Sequence, residues 1–132
     1  MARNVCRIAG LALLVFGLAG FALPTMLGLH LTTIHNVVHL LTGLVALYVG
    51  FATTFAAARG FCLVFGGGYL LLGLAGLVAP GVVASMLGHP PVSAGDLAPD
   101  NTLHAVLGAA LLVVGWKARR KDLDAEGAKG AG

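Results

Sequence analysis

Charge is nearly missing from the first two thirds of this chain. From Ile8 to Pro80 the single fully charged side chain is Arg59. Over all 132 residues 10% are charged and 58% hydrophobic, whereas a soluble domain carries about 25% charged residues. One small core cannot enclose that much apolar surface, so a soluble globular protein is excluded and a single-domain integral membrane protein is expected. Acids are scarcer still. There are five, and only Asp96 and Asp100 lie before the tail. No paired carboxylates, Ser-His-Asp set or other catalytic constellation can be assembled, so an enzyme is not expected. Strict two-residue alternation is absent, which argues against a β-barrel. The formal charge of +3 comes without any aromatic-basic patch, so nucleic acid is not an expected partner. Cysteine is limited to Cys6 and Cys62. Neither has a histidine or acid close in sequence, and burial is expected of both rather than a disulfide or catalysis.

What the chain does hold is four apolar runs, over about residues 5–29, 34–58, 61–79 and 101–116. A membrane span needs roughly 20 residues. The first three runs qualify. The last is short and is extended by snorkelling of Lys117 and Arg119 beside Trp116 as an interfacial anchor. Residues 1–117 are therefore expected to form a four-span all-α membrane domain, a four-helix transmembrane bundle. Residues 118–132, mixing charge with glycine and alanine, form a disordered cytoplasmic tail, with Arg119, Arg120 and Lys121 placed to touch anionic headgroups. The first run has some marks of a signal peptide, but an internal repeat favours a retained span.

That repeat is found by offset. At a shift of 56, Arg3 falls on Arg59, Cys6 on Cys62, Gly10 on Gly66, Gly17 and Gly20 on Gly73 and Gly76, and Pro24 on Pro80. Met26-Leu27-Gly28 returns as Met86-Leu87-Gly88 at a shift of 60, and Asn36-x-x-His39-x-x-x-Gly43 as Asn101-x-x-His104-x-x-x-Gly108 at a shift of 65. Each copy holds two spans and returns the chain to its starting side, so two parallel two-span repeats are expected, related by an axis along the membrane normal. All eight Lys and Arg fall on one side of the spans. The positive-inside rule puts both termini in the cytoplasm of a bacterial inner membrane. The 24–33 loop is then a tight outer loop. The 80–100 loop is a long one, with an apolar 82–87 segment lying in the interface and a stiff His89-Pro90-Pro91 turn. Pro24 and Pro80 end their helices.

On this topology all five histidines (His30, His35, His39, His89 and His104) and both aspartates lie in the outer half. Asn36 with His39 and Asn101 with His104 sit at helical spacing on apolar helices. The leading expectation is a polar lock in which Asn36 bonds His104 and Asn101 bonds His39, each bond worth about 0.6 kcal/mol. This makes the chain a non-enzymatic structural or accessory membrane component. Its partners are the lipid bilayer and either a second copy or a larger membrane complex. Gly10, Gly17, Gly20, Gly66, Gly73 and Gly76 allow close helix packing and make spans one and three the candidate assembly surfaces. No cofactor is assigned. The alternative is a ligand site near the outer face, either a zinc or copper set drawn from His35, His39, Asp100 and His104 or haem held by His39 and His104. In the haem case Gly43 and Gly108, one turn deeper, leave room for the flat ring.

The His35-Asn36-Val37-Val38-His39-Leu40-x-x-Gly43 stretch and the Asp100-Asn101-x-Leu103-His104-x-x-x-Gly108 stretch resemble the hallmark of a bacterial four-span membrane family known as a domain of unknown function, number 4383. The resemblance covers the chain to about Trp116 and implies location and architecture, but no activity, substrate or cofactor.

Overall fold

The computed structural model describes residues 1–90 and 93–118. Pro91 of the expected turn lies outside the described residues. So does all of the expected tail except Ala118, with the headgroup contacts expected of Arg119, Arg120 and Lys121. Within the described residues the chain is helical and contains no strand. It runs through α1 (Ala2–Ala22), a 3₁₀ turn (Met26–Gly28), α2 (Thr33–Ala52), α3 (Phe55–Val78), α4 (Pro80–Met86) and α5 (Ala94–Lys117). Four of these, α1, α2, α3 and α5, are long and apolar enough to cross a membrane. The expected all-α, four-span class is therefore what the chain forms.

Three long helices begin where a hydroxyl satisfies a free N–H. Thr32 Oγ1 accepts from His35 N–H, Thr54 Oγ1 from Ala57 N–H and Ser93 Oγ from Asp96 N–H, each at 3.2 Å. Helices α1 and α3 end alike, at Leu23 (φ −130, ψ 72) and Ala79 (φ −132, ψ 63), one residue before Pro24 and Pro80. Pro80 then opens α4, where its missing N–H costs nothing. The two Met-Leu-Gly segments both end on a glycine in the left-handed region, at φ 76 for Gly28 and φ 71 for Gly88, a conformation that a Cβ would strain.

Several boundaries differ from expectation. The first span stops at Ala22 rather than near residue 29, and the second at Ala52. The third begins at Phe55, ahead of Arg59. The fourth begins at Ala94, seven residues before the apolar run opens at Asn101. Its polar first turns, with Asp96, Pro99 and Asp100, read as loop by hydropathy. The Ser93 cap and an acid in the first turn nonetheless favour a helix start there. Pro99 sits in the second turn and forfeits one hydrogen bond close to the helix end. The 82–87 segment is mostly α4.

Helix α1 packs chiefly on α2, and α3 chiefly on α5; α1 against α3 is the next largest interface. Glycines set the closeness of both pairs. A Cβ on Gly10 would stand 2.9 Å from Gly43 O, and one on Gly66 would stand 3.0 Å from Gly108 O. Gly17 faces the backbone of Asn36 and Gly73 that of Asn101. Gly20 and Gly76 receive the side chains of Asn36 and Asn101. The six glycines are thus enclosed between helices of the same chain and are not outward assembly surfaces. Near the other end, Arg3 and Arg7 donate from Nε to Gly50 O at 3.2 and 2.9 Å, and Arg59 Nε donates to Gly115 O at 3.0 Å. Each pairs a cation with carbonyls in the last turn of α2 or α5, where no helical N–H reaches them. Leu11, Leu18, Val64, Leu71 and Val106, each at least 60% exposed, cover the outside with the apolar surface that lipid requires. The apolar core at this end combines small residues, among them Ala2, Cys6, Ala46, Ala58 and Cys62, with Phe55, Phe61 and Leu111.

Candidate metal centre

The N-terminal ends of α2 and α5, with the 29–32 stretch laid between them, assemble the polar part of the molecule. His35 lies in the first turn of α2, placed by the Thr32 cap, and His39 follows one turn later on the same face. His104 comes from α5, one turn beyond Asp100. The three imidazoles are 2%, 9% and 5% exposed, and one ring nitrogen of each lies within 4.8 Å of the other two. His35 Nε2 stands 3.2 Å from His104 Nε2. The ring centroids are 4.4 Å apart for His35 and His39, 5.1 Å for His35 and His104, and 6.0 Å for His39 and His104.

The hydrogen bonds fix one tautomer. His35 Nδ1 lies 3.2 Å from His30 O. A carbonyl only accepts, so Nδ1 carries the proton and Nε2 of the neutral ring presents its lone pair. In the absence of an ion, His104 must then donate from Nε2, leaving His104 Nδ1 a bare acceptor. His104 Nδ1 and His39 Nδ1 are both buried and without a partner among the described residues. Two nitrogens bound tetrahedrally at about 2.0–2.1 Å stand roughly 3.3 Å apart. The 3.2 Å between His35 and His104 therefore suits a shared ion as well as an N–H···N contact.

Around this cluster is a supporting layer. His30 N–H points at both carboxylate oxygens of Asp100, at 3.1 Å each, and His30 Nδ1 is 3.6 Å from Asp100 Oδ2. Asp100 is 4% exposed. It holds the His30 backbone, and the His30 carbonyl holds the His35 ring. Thr32 Oγ1 donates to Leu87 O, which ties the loop between α1 and α2 to the segment after α4. His89 completes the outer rim, 6.0 Å from His35 and 6.3 Å from His30 by ring centroid. Burial holds the His89 imidazole below its usual pKa, and charge on His35 adds to the effect. A cavity of about 160 Å³ borders all three clustered histidines. Apart from Asp100 its other walls are apolar, contributed by Ala9, Leu13 and Phe16 of α1, Leu29 and Leu31 of the loop, and Leu103 and Leu107 of α5.

The expected cross-pairing of asparagine with histidine is not what forms. Asn36 Nδ2 donates to Leu31 O at 3.2 Å, and the Asn36 amide sits in the Gly20 notch on α1. Asn101 sits likewise against Gly76 on α3. The two asparagines look towards their hairpin partners and the two histidines towards the middle of the bundle, because positions i and i+3 diverge enough to reach different neighbours. Asp100 holds His30 and stands outside the close group of ring nitrogens. The room expected for a haem beside Gly43 and Gly108 is taken by the backbones of α1 and α3. Tyr69 was missed: it is 6% exposed and lies 5.5 Å from His104 by ring centroid, its hydroxyl without a partner among the described residues. Its one signal was a phenol in the middle of an apolar span.

Four apolar spans with a polar cluster near one end define a small multi-pass helical membrane protein. Residues 3–117 match the family described as Domain of unknown function (DUF4383), and the chain belongs to that family. No curated protein and no solved structure matches it.

Proposed function

We propose that this protein binds one borderline transition-metal ion, zinc or copper(II), on His35, His39 and His104. The reading rests on three buried imidazoles, brought from two helices so that one nitrogen of each lies within 4.8 Å of the others, with the Nδ1 atoms of His39 and His104 left without a partner among the described residues. Buried polar atoms are normally paired, and an ion at their centre would engage all three rings at once. Imidazole suits zinc and copper. Three protein ligands leave one coordination position for a further molecule, on a site that borders a cavity with mostly apolar walls. The role is one of binding and handling, not of catalysis.

The same reading places the site near the outer face of a bacterial inner membrane, with both termini in the cytoplasm. All eight basic residues lying on one side of the spans support that orientation. Two parallel repeats are supported by contacts that recur at the sequence offsets. Arg3 on Gly50 O is echoed by Arg59 on Gly115 O, and Asn36 in the Gly20 notch by Asn101 in the Gly76 notch. The metal cluster breaks the symmetry, since His35 has no counterpart at residue 100, where Asp100 stands.

Elemental analysis of protein purified in detergent without chelators tests the proposal. One zinc or copper per chain is expected, lost in a His39→Ala/His104→Ala variant. Zinc supplied at a hundred times its dissociation constant should add about 2.7 kcal/mol to the stability of the native protein. If the protein retains no metal, and neither zinc nor copper(II) shifts its thermal unfolding, the cluster is a hydrogen-bonded core and the proposal fails.

A further inference from the structure

At the opposite end of the bundle the two cysteines of the sequence meet. Cys6 of α1 and Cys62 of α3 are 56 residues apart, both 0% exposed, and their sulfurs are 3.8 Å apart. Cys6 Sγ also lies 3.6 Å from Ala58 O, to which its thiol donates. Both are free thiols. Each has an arginine one helical turn before it, Arg3 before Cys6 and Arg59 before Cys62, and Arg7 follows Cys6 directly. The guanidinium groups themselves are turned to the last carbonyls of α2 and α5, Arg3 and Arg7 to Gly50 O and Arg59 to Gly115 O, so this end of the bundle is cationic while the sulfurs stay enclosed.

We propose that Cys6 and Cys62 form a second site, a two-coordinate thiolate site for a soft monovalent cation, cuprous copper. Soft thiolate ligands select Cu(I), and a pair of sulfurs with no third side-chain donor among the described residues suits an ion content with two ligands. Zinc requires four ligands. On binding, both thiols lose their protons: Cu⁺ + 2 Cys–SH gives [Cu(Cys–S)₂]⁻ + 2 H⁺, with no change in oxidation state. The product is a monoanion at the end of the bundle that holds Arg3, Arg7 and Arg59, and the two metal–sulfur bonds must exceed the cost of burying it. Taking metal–sulfur bonds of about 2.3 Å, as for zinc thiolate, a linear arrangement needs the sulfurs to part by under about 1 Å. The site lies only one turn from the start of α1, so opening of that first turn gives the ion a way in. The proposal is independent of the histidine cluster.

The test is anaerobic titration of the reduced, full-length protein with cuprous ion in the presence of a competing colorimetric chelator, followed by X-ray absorption at the copper edge. One copper with two sulfur neighbours is expected, with sulfur scattering lost in Cys6→Ala and Cys62→Ala. Alanine is chosen because it fits this small-residue core. The spectrum of the unsubstituted protein decides the matter even if a variant fails to fold. Copper bound with nitrogen neighbours alone would place it on the histidines and overturn the proposal. So would failure to compete with the chelator, or a disulfide between the two cysteines in protein purified under reducing conditions.

Discussion

Gly66→Leu should unfold the α3–α5 pair, while Gly67→Leu and Gly68→Leu, one and two residues further along, should leave the protein intact. The three glycines are consecutive and indistinguishable by composition. A Cβ on Gly66 would lie 2.8 Å from Leu112 N and 3.0 Å from both Gly108 O and Leu111 Cβ, against backbone that cannot step aside without parting the helices. Cβ atoms on Gly67 and Gly68 would meet nothing within 4 Å. Overpacking a close contact costs about 1–3 kcal/mol, and a full leucine against backbone belongs at the upper end. Leucine in place of a helical glycine otherwise gains up to about 1 kcal/mol. Thermal unfolding in one detergent should therefore show a collapse for Gly66→Leu and an equal or slightly raised midpoint for the other two. Equal behaviour of all three would mean that α3 does not present Gly66 to α5.

The same contrast shows what was legible in the sequence. Spans and class follow from hydropathy because lipid imposes a length and a composition on any helix that crosses it. The offset that aligns Arg3 with Arg59 falls on two similar contacts, with Gly50 O and Gly115 O, and the one that aligns Cys6 with Cys62 falls on two sulfurs that meet each other. Which residues face which neighbour is a different kind of information. Asn36 and His39 share a helix face to within one turn, yet Asn36 finds Gly20 and His39 finds His35 and His104. A few tens of degrees of rotation decide that outcome, and no spacing rule resolves it. His35 stands outside the repeated Asn-x-x-His pattern, since Asp100 occupies the position 65 residues on. It joins the other two because Thr32 caps the helix it starts, and the His30 carbonyl, in the loop before α2, fixes its tautomer. The start of α5 was hidden for a related reason. Hydropathy registers Asp96, Pro99 and Asp100 as a break, whereas capping and dipole interactions make acids ordinary in a first turn.

Asp100→Ala should weaken metal binding about 10–100-fold without changing the stoichiometry, the effect of removing a group that orients a ligand rather than one that binds the ion. The carboxylate does not join the close group of ring nitrogens. It accepts from the His30 backbone N–H through both oxygens at 3.1 Å, and His30 O in turn holds His35 Nδ1. Without Asp100 the half-buried N–H of His30 loses its acceptor, a cost of about 1 kcal/mol. The 29–32 stretch loosens and His35 is free to turn its Nε2 away from His104. His104→Ala, by contrast, removes a nitrogen from the centre and should abolish retention of the ion. Zinc competition against a chelator of known strength, with stoichiometry measured in parallel, separates the two. An unchanged affinity in Asp100→Ala would show that His35 is held by packing alone. Complete loss of the ion would move Asp100 into the coordination sphere, beside the three histidines. The intermediate result is expected because Asp100 stands outside the close group of ring nitrogens, yet the chain Asp100, His30, His35 fixes the Nδ1 side of that ring.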